Sequence, residues 1–231
     1  MLSTNTRNRG FTLIELMVSL VLGLVVLGGV MGVFMSTYQA NAQNIKAVRL
    51  NEEMRAVMSM MSRDIRRAGT RDLAWQPSLL GTDNPFSTDP ASGMWTVSKM
   101  TGAADNSCVR LAYSISNDNG ADDANRFGYR LNPTSGAIEA YNHTAGDWSC
   151  NAVPWQPITD QNIAWIRSLV FTTTREPGTG VDVRTVIVNL RAATHTRSAN
   201  PATLTAADCT NIDVVCRQLV EKIRIRNDAV L

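Results

Sequence analysis

Gly10-Phe11-Thr12-Leu13-Ile14-Glu15-Leu16 opens an apolar run that continues to Met35, and from Phe11 to Met35 the only ionisable side chain is Glu15. The run is long enough to cross a bilayer, since ~20 apolar helical residues match a hydrocarbon core of ~30 Å. A carboxylate in the first turns of such a span costs roughly 2.5–3.5 kcal/mol on insertion scales. A chain that keeps it there needs a partner for it. Ahead of the run lies a hydrophilic leader, residues 1–10, carrying Arg7 and Arg9. Those cations hold the leader on the cytoplasmic side and send the remainder outward. A cut after Gly10 would give Phe11 a new, positively charged amino group. Glu15 of one copy could then pair with that amine on a neighbour.

This junction resembles the class III signal of type IV pilins and type II secretion pseudopilins. The resemblance implies that a prepilin peptidase cuts after Gly10 and N-methylates Phe11, and that Glu15 acts in assembly. Two plainer readings fit less of the sequence. A secretory signal has an apolar core of about 7–15 residues followed by a small-residue cleavage site. Here the run is about 25 residues, with no A-x-A site at its end. A signal anchor explains the length and the arginines, but not Glu15 or the Gly10-Phe11 junction.

The span runs on into a second helical pattern. Tyr38, Ala42, Ile45, Val48, Met54, Val57, Met58, Met61, Ile65 and Ala68 recur mostly three and four apart, which reads as one apolar helix face. Gly69 follows the last of them and suits a helix C′ position. With no proline before Pro77, one helix is expected from about Phe11 to Ala68. Its first half would sit in lipid or a filament core and its second on a sheet. The methionines at 54, 58, 60 and 61 read as core. Gly23, Gly28, Gly29 and Gly32 suit close helix packing in lipid. They would also suit local unwinding on assembly, although the span lacks the proline that related pilins often carry.

Beyond Gly69 the character changes. Residues 70–107 are rich in turn formers, with a short strand expected at 95–99. Alternating patterns then predict strands at 109–115, at 127–131 and 137–141 with a five-residue turn between them, at 163–173, at 181–191 and at 219–226. Short loops between successive strands favour antiparallel pairing. The expected class is α+β, a long N-terminal helix packed on an antiparallel sheet. The expected organisation is a cleaved leader at 1–10, a membrane or filament-core helix at 11–35, an amphipathic helix at 36–69 and a periplasmic β-rich head at 70–231.

Ser62-Arg63-Asp64-Ile65-Arg66-Arg67-Ala68-Gly69-Thr70 resembles the D-[IL]-R-x-A-G signature that follows the first helix in PilW-type minor pilins. Ile223-Arg224-Ile225-Arg226-Asn227 resembles that family's C-terminal strand. The related secretion pseudopilin J shares the plan but usually lacks the Ala-Gly ending. The resemblance implies a low-abundance subunit that primes pilus assembly or sits at the tip. Its partners would be other minor and major pilins, the prepilin peptidase, the inner-membrane assembly platform and membrane lipid. The plainer reading of the arginines is a solvated helix end, where cations oppose the helix dipole.

Nothing points to an enzyme. His143 and His195 lack metal-ligand spacing, and no phosphate loop, G-x-S-x-G or H-E-x-x-H occurs. The acidic run at 117–123 lacks EF-hand spacing and reads as a polar turn. Trp148, Trp155 and Trp165 read as core or interface residues. Net charge is +2 with no basic patch interleaved with aromatics, so nucleic acid is not an expected partner, nor is any cofactor or metal. Cys108, Cys150, Cys209 and Cys216 all follow the span, on the side where disulfides form. Three pairings are open. Cys209–Cys216 is favoured because it closes a short loop into the last strand, which leaves Cys108–Cys150; four buried thiols are the alternative. Apart from the pilus subunit, two further functions fit: a secretion pseudopilin and a signal-anchored periplasmic binding domain that never polymerises.

Overall fold

A computed structural model describes residues 10–70, 95–113, 126–143, 149–152, 154–177, 182–195 and 214–225. The leader through Arg9, the acidic run at 117–123, Trp148 and Cys209 lie outside these residues. By internal packing the chain divides into two units, Met1–Ile45 and Lys46–Leu231. One helix, α1 (Leu13–Arg67), runs through both. It is unbroken at Gly23, Gly28, Gly29 and Gly32.

In the first unit the whole apolar window of α1 is exposed. Its hydroxyl side chains return their protons to the helix backbone. Ser19 donates to the Glu15 carbonyl at 2.7 Å, and Thr37 donates to the Val33 carbonyl at 2.9 Å. A hydroxyl paired in this way needs no water partner.

The second unit is the head. Five strands form one antiparallel sheet in the order β1 (Trp95–Ser98), β2 (Cys108–Ala112), β3 (Arg126–Asn132), β4 (Ala137–His143) and β5 (Gln156–Pro157). Three longer strands form a second antiparallel sheet in the order β6 (Trp165–Pro177), β7 (Asp182–His195) and β8 (Val214–Arg224). Leu50, Met54, Val57, Met58, Met61 and Ile65 of α1 are buried in a core shared with the inward residues of both sheets, among them Leu111, Tyr129, Phe171, Val188 and Ile223. Two backbone bonds tie β6 to loops that flank strands of the first sheet: Ile166 N–H to the Gly136 carbonyl at 2.8 Å, and Phe171 N–H to the Asn106 carbonyl at 2.9 Å.

The α+β class is as expected. β5 was not expected, β6 runs on to Pro177 and β8 begins at Val214 where 219 was expected; three further differences bear on the site. The single expected sheet is two. The β3–β4 loop is four residues long, because Asn132 already pairs with Ala137. The Asn132 side chain accepts from the Thr134 and Ser135 N–H groups, and Gly136 closes the turn at φ 61°, a conformation that favours glycine. The third difference concerns α1. Tyr38, Ile45 and Val48 do not share the buried stripe; they are 64%, 55% and 52% exposed, while Leu50 is fully buried. The reason is the gap from Val48 to Met54. Six residues turn a helix by about 240°, which carries the pattern to a different face.

Candidate functional site

Two parts of the chain carry the residues that the sequence singles out: the start of α1 and its end.

At the start, Thr12 is the N-cap. Its carbonyl accepts from the Glu15 and Leu16 N–H groups at 3.1 and 3.2 Å, and its hydroxyl accepts from the Glu15 N–H at 3.4 Å. Thr12-Leu13-Ile14-Glu15 therefore has the S/T-x-x-E spacing of a capping box, a signal that reading Glu15 alone misses. The cap has two consequences. It places Glu15 in the first helical turn, where negative charge complements the helix dipole. It also ends the helix before Gly10 and Phe11, leaving the junction outside regular structure with Phe11 83% exposed. The Gly10–Phe11 peptide bond therefore lies outside the helix.

At the other end, five residues of the Asp64–Thr70 stretch have distinct tasks. Asp64 is buried and accepts a short hydrogen bond from the Tyr129 hydroxyl on β3. Ile65 is fully buried. Arg66 reaches Glu221 on β8 at 3.0 Å. Gly69 takes φ 77°, and its N–H bonds the Ala112 carbonyl at the end of β2 at 3.0 Å. Thr70 closes the helix by donating both its N–H and its hydroxyl to the Arg67 carbonyl, at 2.9 and 2.6 Å. Arg66 is thus more than a solvated cation. Burial, reinforced by the Asp64 carboxylate, pushes the Tyr113 hydroxyl up to about 12; Tyr129 is raised by burial and by the hydrogen bond it donates to Asp64. Tyr113 stacks on Phe127 at 4.2 Å beside this pair.

The outer face of the five-stranded sheet carries a second polar knot. Arg130 and Glu139 face each other across β3 and β4. Their side chains are 8% and 9% exposed and pair at 2.6 Å. Asn132 also donates to Glu139, at 2.8 Å, and Arg130 donates to the Cys150 carbonyl at 2.5 Å. Trp155 lies over the guanidinium at 4.6 Å. Cys150 is disulfide-bonded to Cys108, so this network and the disulfide fasten the same loop. Gly128 makes room for it, since a Cβ there would lie 2.7 Å from the Trp155 ring. Cys216 is also disulfide-bonded. Among the described residues no group of three or more His, Cys, Asp or Glu side chains converges as a metal site would require.

An exposed apolar helix with a capped, accessible Gly-Phe junction, followed by an α+β head, defines a membrane-anchored, prepilin-processed, pilin-like protein. Sequence comparison agrees: residues 5–31 match the prokaryotic N-terminal methylation motif. Residues 43–208 match the family described as prepilin peptidase-dependent protein B, and the chain belongs to that family. No curated protein and no solved structure matches it.

Proposed function

We propose that this chain is a minor pilin of a type IV pilus, of the PilW type, acting in assembly initiation or at the tip. Prepilin peptidase removes residues 1–10 and N-methylates Phe11. The chain then sits in the inner membrane through residues 11–35, with its head in the periplasm, until the assembly platform passes it to the other minor and major pilins. Glu15 pairs with the Phe11 amine of a neighbour.

The observation that carries this reading is the coincidence of the methylation motif with a junction that the Thr12 cap holds outside the helix. The Cys108–Cys150 disulfide supports a periplasmic head, because such bonds persist in oxidising compartments. The test is the intact mass of the membrane-extracted protein. Loss of residues 1–10 plus one methyl group is expected. A retained Met1 in cells with active prepilin peptidase overturns the proposal. Recovery of the mature chain in sheared pili separates a pilus subunit from a secretion pseudopilin.

A further inference from the structure

We propose that the outer edge of β8, with the groove between it and α1, takes up an acidic, extended segment of another protein as an added strand. The site lies wholly within the second unit, and it does not rest on the functional reading above.

β8 closes the order β6–β7–β8. It pairs with β7 along its whole length, from Val214 to Arg224. Among the described residues no strand pairs with its other edge. In an antiparallel ladder every second residue of such a strand turns both its N–H and its C=O away from its neighbour. The outer edge is therefore a row of backbone donors and acceptors that a second extended chain can satisfy.

Beside this edge runs a groove of about 450 Å³, open to solvent, lined by Met58, Ser59 and Ser62 of α1 and by Leu219 and Val220 of β8, with Arg55 at its wall. That volume falls within the range of ligand clefts, ~300–1,000 Å³. Val220 is 60% exposed, more than any other large apolar side chain described in the second unit. An open groove along a strand edge suits a chain laid lengthwise.

Charge selects the occupant. Alternate residues of a strand face opposite sides. Leu219, Glu221 and Ile223 face the core side, since Leu219 and Ile223 sit opposite the buried Leu190 and Val186. Glu221 is held there by Arg66 at 3.0 Å. Gln218, Val220, Lys222 and Arg224 face the other side, where the exposed Arg191 lies opposite Gln218. Along β8 that outer side carries two cations and no acid. An added strand therefore meets an apolar groove on one side and cations on the other. The sequence that fits alternates an apolar residue, toward Met58 and Leu219, with an acidic one, toward Lys222 and Arg224. A second copy of β8 would bring like charge to the same side, which disfavours it.

The test uses the full chain in detergent and two capped peptides as long as β8, one alternating valine with glutamate and one alternating valine with lysine. Binding is read by fluorescence anisotropy of the labelled peptide and located by residue-resolved amide hydrogen exchange of the protein. The glutamate peptide is expected to bind and to slow exchange at alternate residues of Val214–Arg224; the lysine peptide is expected to do neither. Lys222→Glu with Arg224→Glu, both exposed positions, should weaken the glutamate peptide at least about tenfold, since two attractive charge pairs become repulsive. The same variant should gain binding of the lysine peptide. No binding of the glutamate peptide at about millimolar concentration, equal binding of both peptides, or protection only outside β8 overturns the proposal. So do outer-edge amides of β8 that are already slow in the free chain: slow at every protein concentration, the chain's own residues occupy the edge; slow only at high concentration, a second copy does.

Discussion

Arg130→Met removes the centre of the knot that fastens the disulfide loop to the outer face of the five-stranded sheet. Methionine fills much of the same volume, so the change tests charge and hydrogen bonding more than packing. Four contacts are lost together: the ion pair to Glu139 at 2.6 Å, the bonds to the Cys150 and Ala152 carbonyls at 2.5 and 3.3 Å, and the stack against Trp155 at 4.6 Å. Glu139 stays buried, with only Asn132 donating to its side chain. Stranding one member of a buried ion pair costs about 3–5 kcal/mol. That is a large share of the ~5–15 kcal/mol that holds a domain folded. With a urea slope of about 2 kcal/mol per molar, the unfolding midpoint should fall by about 1.5–2.5 M. The assay is urea unfolding of the detergent-solubilised chain, followed by tryptophan fluorescence. Arg130→Met combined with Glu139→Leu should recover most of the loss, because no charge is then left unpaired. A single variant that loses less than about 1 kcal/mol, or a double variant no better than the single, would refute the reasoning.

Glu15→Ala should leave the cut after Gly10 intact but lower recovery of the chain in sheared pili; recovery at the wild-type ratio counts against the pairing of Glu15 with a neighbour's amine. Tyr113 and Tyr129 hold their protons more tightly folded than unfolded. The native state therefore binds more protons above about pH 10, and stability should fall as pH rises through the pH 10–12 window. Tyr129→Phe should flatten that slope in alkaline denaturation, and an unchanged slope would remove Tyr129 as its source. Gly128→Ala forces a methyl to within 2.7 Å of the Trp155 ring and 3.0 Å of the Val109 carbonyl; a loss of about 1–3 kcal/mol is expected in the same urea assay. Non-reducing peptide mapping should return a Cys108–Cys150 peptide and a Cys209–Cys216 peptide; free thiols at all four positions, or a Cys108–Cys209 peptide, would show the pairing to be wrong.

The Gly10-Phe11 junction and Glu15 stand out because what marks them is local: a glycine, an aromatic residue and a lone carboxylate in an apolar run; the Thr12 cap, three residues ahead of Glu15, went unread. Strand positions were legible for the same reason. Alternation tells which side chains face inward at Tyr129, Val188 or Ile223. It does not tell which strand lies alongside, so the division into two sheets was out of reach. The partner of Asp64 is sixty-five residues away on β3, and no local pattern names Tyr129. The Arg130–Glu139 pair was closer to hand: once the hairpin loop is known to be four residues, the two face each other by register alone. The face change in α1 was visible in the six-residue step from Val48 to Met54, which breaks the three-and-four rhythm.

The end of α1 is tied to three different strands within six residues: Asp64 to β3, Arg66 to β8 and Gly69 to β2. A pull arriving along this helix is therefore not delivered to one strand that could be peeled away from its neighbours. It divides between two sheets at once, and a fourth fastening, the covalent Cys108–Cys150 link, starts from the first residue of β2. Load shared in this way over ties to separate strands favours a threshold force over a gradual unravelling.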